Sequence, residues 1–411
     1  MSNVKKNIAL LLLVQISNYI FPLISLPYLM HTLGAEEFGV IAISQAVIQY
    51  CIIFSDYGFN LSATRRLAIA TGKDSLSRIF ISTFLAKLIL VIACGVILFT
   101  LLPFMQGKQY NFAAMMIFFV SVFGNLLFPI YLYQAMELMA KIVWITIFAK
   151  FLSLLSVFFL VKGKEDVIGA AVSLSLGLTL SGVISIIYIW KAKLISYVRI
   201  NMSDVRSAFS DGFPLFLSSM AISFYTTFNV LFAGHHFSID TVGNYSAADK
   251  LRMAVQSLFN PVQQVIFPRV NKIYNSTGKL SDTILKYSII LIFFGAILSV
   301  FIWLFGKYFS FFYFGKDFLF ASDLFVKMSP LFIIIAFSIV LGQWGLIVLG
   351  KSKALSKIYI VGALCHLAYI YPMVECFSIN GLVYSVIMTE SIICLMMAFC
   401  LVTFSRSKRN K

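Results

Sequence analysis

Residues 79–102 read IFISTFLAKLILVIACGVILFTLL, an apolar run whose one charged member is Lys87, and about twelve runs of this kind follow one another along the chain. Roughly 20 apolar residues wound as an α-helix cross the roughly 30 Å hydrocarbon core of a bilayer. Within that core every backbone N–H and C=O must be satisfied inside the protein, which a helix achieves by itself and an open strand does not. The chain is 60% hydrophobic and 12% charged, with a mean hydropathy of +0.94. A water-soluble fold of this size would lack the polar side chains needed to cover its surface. The expected fold class is an all-α membrane protein of about 12 transmembrane helices.

The runs lie near residues 8–33, 38–59, 79–102, 112–133, 143–161 and 167–190, and then near 212–234, 243–267, 283–305, 324–349, 355–377 and 381–404. Lys5 and Lys6 ahead of the first run resemble the start of a signal peptide. The run continues past Leu33 without a small-residue cleavage site, so an uncleaved first span is expected. Basic residues near span ends stay preferentially in the cytoplasm. With the N-terminus inside, about 21 of the 32 basic residues fall in cytoplasmic segments, including Arg65, Arg66, Lys73, Arg78, Lys191, Lys193, Arg269, Lys272 and Lys279. About five fall in the opposite loops: Lys108, Lys162, Lys164, Lys307 and Lys316. A wrong span count would scramble this alternation, so both termini are expected in the cytoplasm. The bias also accounts for most of the net charge of +16 without a nucleic acid partner.

A hydrophilic connection between spans six and seven divides the chain into a six-helix bundle over residues 1–195, a cytoplasmic linker over 196–211 and a second six-helix bundle over 212–411. A shift of 204 residues lays Glu36, Glu37, Phe38 and Gly39 over Asp240, Thr241, Val242 and Gly243, and Arg65 over Arg269. Because six spans return the chain to its starting side, this weak match fits a tandem duplication in parallel orientation.

Six basic residues remain inside or beside the spans: Lys87, Lys150, Lys250, Arg252, Lys286 and Lys327. A charge at bilayer depth costs at least about 2.5–3.5 kcal/mol on insertion scales, so it faces protein or a hydrated route. Lys286 and Lys327 are near enough to span ends to extend toward the headgroups. Lys150, Lys250, Arg252 and Lys87 are the candidate cavity cations, with internal ion pairing as the structural alternative. Asp249, Glu375 and Glu390 are candidate carriers of a coupling proton or sodium ion, again with helix-fixing ion pairs as the alternative. Pro22 and Pro27 in span one, and Pro214 near the start of span seven, are candidate hinges, since proline removes a helical hydrogen bond and kinks the helix.

The six cysteines lie in apolar runs without CxxC spacing, and His31, His235, His236 and His366 lack metal-ligand spacing. No metal site, disulfide framework or cofactor is expected. The chain has no GxxxxGK[ST] phosphate loop, so energy has to come from an ion gradient, the substrate gradient or a partner. The stretch Tyr308, Phe309, Phe311, Phe312, Tyr313 and Phe314 is read as an interfacial segment at headgroup level.

The stretch Gln15–Gly39, QISNYIFPLISLPYLMHTLGAEEFG, followed by Tyr50–Ala68, YCIIFSDYGFNLSATRRLA, resembles the polysaccharide-export family that includes the Wzx-type O-antigen flippases. The resemblance covers about the first 70 residues, and its cytoplasmic motif contains Asp56, Arg65 and Arg66. It implies the fold of the multidrug, oligosaccharidyl-lipid and polysaccharide exporter (MATE-like) superfamily, with two bundles around a central cavity. It further implies translocation of undecaprenyl-diphosphate-linked O-antigen repeat units from the cytoplasmic to the periplasmic leaflet of the bacterial inner membrane. Lys150, Lys250 and Arg252 would then be diphosphate partners, with H+ or Na+ as coupling ion. O-antigen polymerase and a chain-length regulator would be possible partners.

The alternative is an ion-coupled multidrug or solute exporter. A major facilitator loop is disfavoured because six residues separate Gly58 from Arg65. An integral-membrane polymerase or ligase is expected to carry a large periplasmic loop, and no outer loop here exceeds about 20 residues. An enzyme is therefore not expected.

Overall fold

The computed structural model describes residues 2–104, 107–277, 281–315 and 318–409. Among them there is no strand. Lys279, Lys316 and Lys411 lie outside the described residues, as do the side chains of Lys5, Lys6 and Lys286.

The first part of the chain forms α1 (Ser2–Asp56), α2 (Phe59–Ala68), α3 (Lys73–Leu101), α4 (Phe112–Leu127), α5 (Ile130–Ala135), α6 (Met139–Leu160) and α7 (Val167–Lys191). The second part forms α8 (Met202–Tyr225), α9 (Phe228–His236), α10 (Ile239–Gln256), α11 (Phe259–Thr277), α12 (Ser281–Phe314), α13 (Leu319–Lys327) and α14 (Pro330–Ser338). A π-helical stretch Ile339–Ile347 follows, then α15 (Ser352–Phe377) and α16 (Asn380–Arg409).

Ten helical segments among the described residues are long and apolar enough to cross a membrane. One of them, Ile20–Ala68, is 49 residues long. As a straight helix it would measure about 70 Å, more than twice the hydrocarbon thickness. It is not straight: Gly34, at φ 76° and ψ 173°, interrupts α1. Only glycine adopts such a conformation without a steric penalty, so the residue beside His31 and Leu33 decides where the first apolar run turns back. The run expected over 243–267 is absent from the ten. It corresponds to α10 and α11, where Asp249, Lys250 and Arg252 lower the hydropathy. The aromatic stretch near Tyr308 does not form a separate interfacial segment. It is the last part of α12, with Tyr308 and Phe312 exposed and Phe314 fully buried.

Contacts divide the chain into two compact units, one comprising residues 1–220 with 238–243, the other 221–237 with 244–411. In the first unit Phe80, Tyr131, Leu132, Tyr133, Ile142 and Ile145 form an aromatic and aliphatic core. In the second, Tyr225, Leu346, Leu355, Ile358, Ile393 and Met397 do so. Large apolar side chains such as Phe99, Trp144, Phe159, Phe293, Trp303 and Phe399 point outward. Small hydroxyl residues, among them Ser82, Thr83, Ser185, Ser322, Ser385 and Thr389, are buried. That distribution suits lipid as solvent: hydrocarbon covers the large side chains, while serine and threonine let helices approach and bond their hydroxyls internally.

Candidate functional site

In the first unit the DYG motif forms the junction between α1 and α2. Tyr57 and Gly58 both have positive φ, 43° and 74°, so the chain turns sharply and starts α2. The turn leaves Asp56 facing α3 and α4. Lys87 Nζ lies 2.6 Å from Asp56 Oδ1, Lys87 also donates to the Asn125 carbonyl at 2.9 Å, and Asn125 Nδ2 donates to Asp56 Oδ1 at 2.9 Å. The Lys87 side chain is 1% exposed. Lys87 and Asp56 thus complete one another in a closed polar knot joining α1, α3 and α4. The knot is the ion-pairing alternative weighed for Lys87, and Lys87 does not enter the cation set proposed below.

Arg65 is exposed at the end of α2, and Arg66 lies 3.4 Å from Asp211. Beside that pair the Tyr57 ring stacks on Phe216 with centroids 4.6 Å apart. The motif therefore seats the start of α8 within the first unit. Lys150 is half-buried on α6, with its stem passing Gly177 of α7.

In the second unit α10 carries the main charged group. Arg252 Nε and Nη2 each lie 2.8 Å from Asp249 Oδ1, and Nη1 donates to Gln256 Oε1 one turn on. The spacing explains the arrangement: side chains three and four residues apart share one helix face. Asp249 and Gln256 fix the orientation of a planar guanidinium that would otherwise sample many rotamers. Asp249 and Arg252 are buried, and Lys250 beside them is half-buried. Glu390 on α16 is half-buried. Of the expected ion carriers, Asp249 is committed to Arg252. Glu375 is exposed near the end of α15.

The hinge candidates sit inside helices: Pro22 and Pro27 in α1, Pro214 in α8. The non-helical backbone in α1 occurs at Gly34, about two turns beyond Pro27.

A second polar group in this unit was not singled out from sequence. His366, fully buried on α15, has Nε2 2.9 Å from Asn229 Oδ1 of α9 and Nδ1 2.7 Å from Thr389 Oγ1 of α16. Tyr369 Oη lies 2.6 Å from the same Thr389 oxygen. Asn229, Thr389 and Gln256 are each ordinary polar residues in apolar runs, so only their spacing relative to His366 and Arg252 could have pointed to them.

Residues 4–274 match the family model described as "Polysaccharide biosynthesis protein". A protein of Shigella dysenteriae named "Putative O-antigen transporter" is 35% identical over 396 residues, covering 96% of this chain and 98% of that one. Among solved structures, "Lipid II flippase MurJ, inward closed conformation" superposes with a TM-score of 0.79 at 13% identity, covering 95% of this chain and 87% of that one. An inward-facing multidrug resistance MATE family transporter of the MOP superfamily gives 0.76 at 14% identity, covering 94% and 96%. The two structures bear out the helical, MATE-like fold class.

Proposed function

Since this chain belongs to the polysaccharide biosynthesis protein family, as the match over residues 4–274 shows, we propose that it flips O-antigen repeat units linked to undecaprenyl diphosphate from the cytoplasmic to the periplasmic leaflet of the bacterial inner membrane. The topology used by this reading has twelve crossings, six within 1–195 and six within 212–411, joined by a cytoplasmic segment 196–211, with both termini in the cytoplasm. The observation that carries the reading is Arg252, a buried guanidinium held in orientation by Asp249 and Gln256.

A diphosphate carries negative charges that are expensive to bring away from water, while its polyprenyl tail is soluble in the bilayer. The protein therefore has to supply cations for the head and leave the tail in lipid. Guanidinium pairs with phosphate oxygens through parallel N–H donors, and an ammonium adds a flexible point charge. In the proposal Arg252 and Lys250 supply such cations within the second unit, and Lys150 supplies one within the first. The Asp249 and Glu390 carboxylates partly balance the cations when the site is empty, which limits the cost of holding them. Their protonation, or a sodium ion beside them, is the proposed link to the ion gradient.

The test is a deletion strain. Loss of the O-antigen ladder on lipopolysaccharide, with build-up of lipid-linked repeat units on the cytoplasmic side, is the expected result, and restoration requires Arg252. A strain that keeps its ladder and becomes sensitive to cationic drugs would replace this reading with the multidrug exporter. Dissipating the proton and sodium gradients separately, with flipping measured in inverted vesicles, identifies the coupling ion. Co-purification with the O-antigen polymerase and chain-length regulator tests those partners.

A further inference from the structure

The chain leaves α7 by a tight reversal. Ala192 N–H donates to the Tyr188 carbonyl at 2.9 Å, Lys193 N–H to the Trp190 carbonyl at 3.1 Å and Leu194 N–H to the Ile189 carbonyl at 3.2 Å. The last two bonds are the pair that closes a helix through a left-handed residue, a position glycine usually fills. Here Lys193 fills it, at φ 48°. That conformation is unfavourable for a residue with a Cβ, so the lysine is held there against its backbone preference.

The reversal brings residues 195–197 beside α3. Ser196 N–H donates to Ser77 Oγ at 2.9 Å, and Ser77 in turn donates to the Lys73 carbonyl at 2.7 Å. One turn beyond Ser77, Ile81 lines a groove together with Ile187 and Trp190 of α7 and Ile195 and Tyr197 of the connection. The groove has a volume of about 460 Å³, within the roughly 300–1,000 Å³ of pockets that hold small molecules. All of these residues belong to the first unit. Trp190 is 80% exposed and Tyr197 97% exposed, an arrangement suited to the headgroup level of a bilayer, where amphipathic rings anchor a protein.

Cations flank the same groove. Arg78 stands three residues before Ile81 and so on the same face of α3. Lys191 and Lys193 follow Trp190, and Arg199 lies two residues beyond Tyr197 in a stretch where exposure alternates, which puts both on one side. All four cations are exposed, and among the described residues none of them forms an ion pair. No carboxylate occurs in sequence between Asp74 and Glu137 or between Asp166 and Asp204. The cytoplasmic charge bias accounts for basic residues near a span end, but neither for an apolar groove between them nor for a lysine in a glycine position.

We propose that the groove holds one acyl chain of an anionic phospholipid of the cytoplasmic leaflet, whose headgroup phosphate is met by Arg78, Lys193 and Arg199. The leaflet follows from the topology used above, and the site is separate from the cations assigned to the transported lipid. Apolar walls take the chain, while the two guanidinium groups and the ammonium take the phosphate. A zwitterionic headgroup, carrying no net charge, gains less from the same cations. The bound lipid bridges Ile81 to Ile195 and Tyr197 and so holds the connection between α7 and α8 against α3.

The test titrates the full-length protein in neutral detergent with phosphatidylglycerol brominated on its acyl chains, read as quenching of tryptophan fluorescence. Saturable quenching is expected, with binding at least about fivefold weaker for phosphatidylcholine brominated in the same way. The saturable part is expected to vanish in Trp190→Phe. Lys193→Gly removes the cation while giving the left-handed position its preferred residue, so affinity is expected to fall about fivefold without a lower thermal midpoint. Ile81→Phe narrows the groove from α3 without touching a cation and is expected to weaken binding as well. Equal affinity for the two lipids, saturable quenching that survives in Trp190→Phe, or unchanged affinity in Lys193→Gly overturns the proposal. Displacement of the brominated lipid by an equimolar amount of undecaprenyl phosphate overturns it too, and assigns the groove to the tail of the transported lipid. No flipping is measured, so the outcome is independent of the flippase reading.

Discussion

Lys87 and Asp56 form a 2.6 Å ion pair in which the lysine is 1% exposed and the aspartate side chain 25% exposed. The asymmetry sets what each substitution does. Removing Asp56 strands a fully buried ammonium, whereas removing Lys87 leaves a carboxylate that still reaches solvent and keeps the Asn125 amide. Breaking a buried pair from one side costs about 3–5 kcal/mol. Asp56→Ala is therefore expected near the upper end of that range, Lys87→Ala near the lower end, and the double variant below either. The check is thermal unfolding of the detergent-solubilised protein followed by size-exclusion fluorescence. Equal midpoints for the two single variants would contradict the assignment.

Arg252 predicts a different pattern, because its partners orient it while the proposed work is done on substrate. Arg252→Ala should cut O-antigen laddering at least tenfold with a normal amount of protein in the membrane. Arg252→Lys keeps the charge but loses the planar donor set, so an intermediate effect is expected. Gln256→Ala acts only through the guanidinium and should fall between wild type and Arg252→Lys. Quantified laddering against membrane protein level orders the series. A Gln256→Ala defect larger than that of Arg252→Ala would remove the positioning role.

The helical class, most segment positions and the family were legible in the sequence, because each rests on a property local to a run of residues: hydropathy, charge bias, or a motif such as DYG. The last two spans stay separate as well, although Ser378 and Ile379 alone divide them: α15 ends at Phe377 and α16 starts at Asn380. What sequence could not decide was partnership. Lys87 and Arg252 look alike as cations in apolar runs, and only the fold shows one locked to a residue 31 positions away and the other oriented by residues on its own helix. The break in α1 was sought at Pro22 and Pro27, yet proline with φ near −65° still fits a helix, while Gly34 at φ 76° does not. The His366 group escaped because its members come from three helices whose register sequence does not give.

His366 supplies the last test. Both ring nitrogens are engaged, at 2.9 Å by Asn229 and 2.7 Å by Thr389, and all three residues are fully buried. Because Asn229 presents Oδ1 toward Nε2, that nitrogen carries the hydrogen, and Nδ1 faces the threonine hydroxyl. His366→Leu fills similar space but leaves the Asn229 carbonyl oxygen without its donor where no water replaces it. Leaving a buried polar group unsatisfied costs about 1–3 kcal/mol. Replacing Asn229 with Leu in the same protein removes the stranded group and should recover part of that loss. Thermal unfolding of the two single variants and the double variant decides the point: additive losses would mean that the His366–Asn229 bond does not hold α15 against α9.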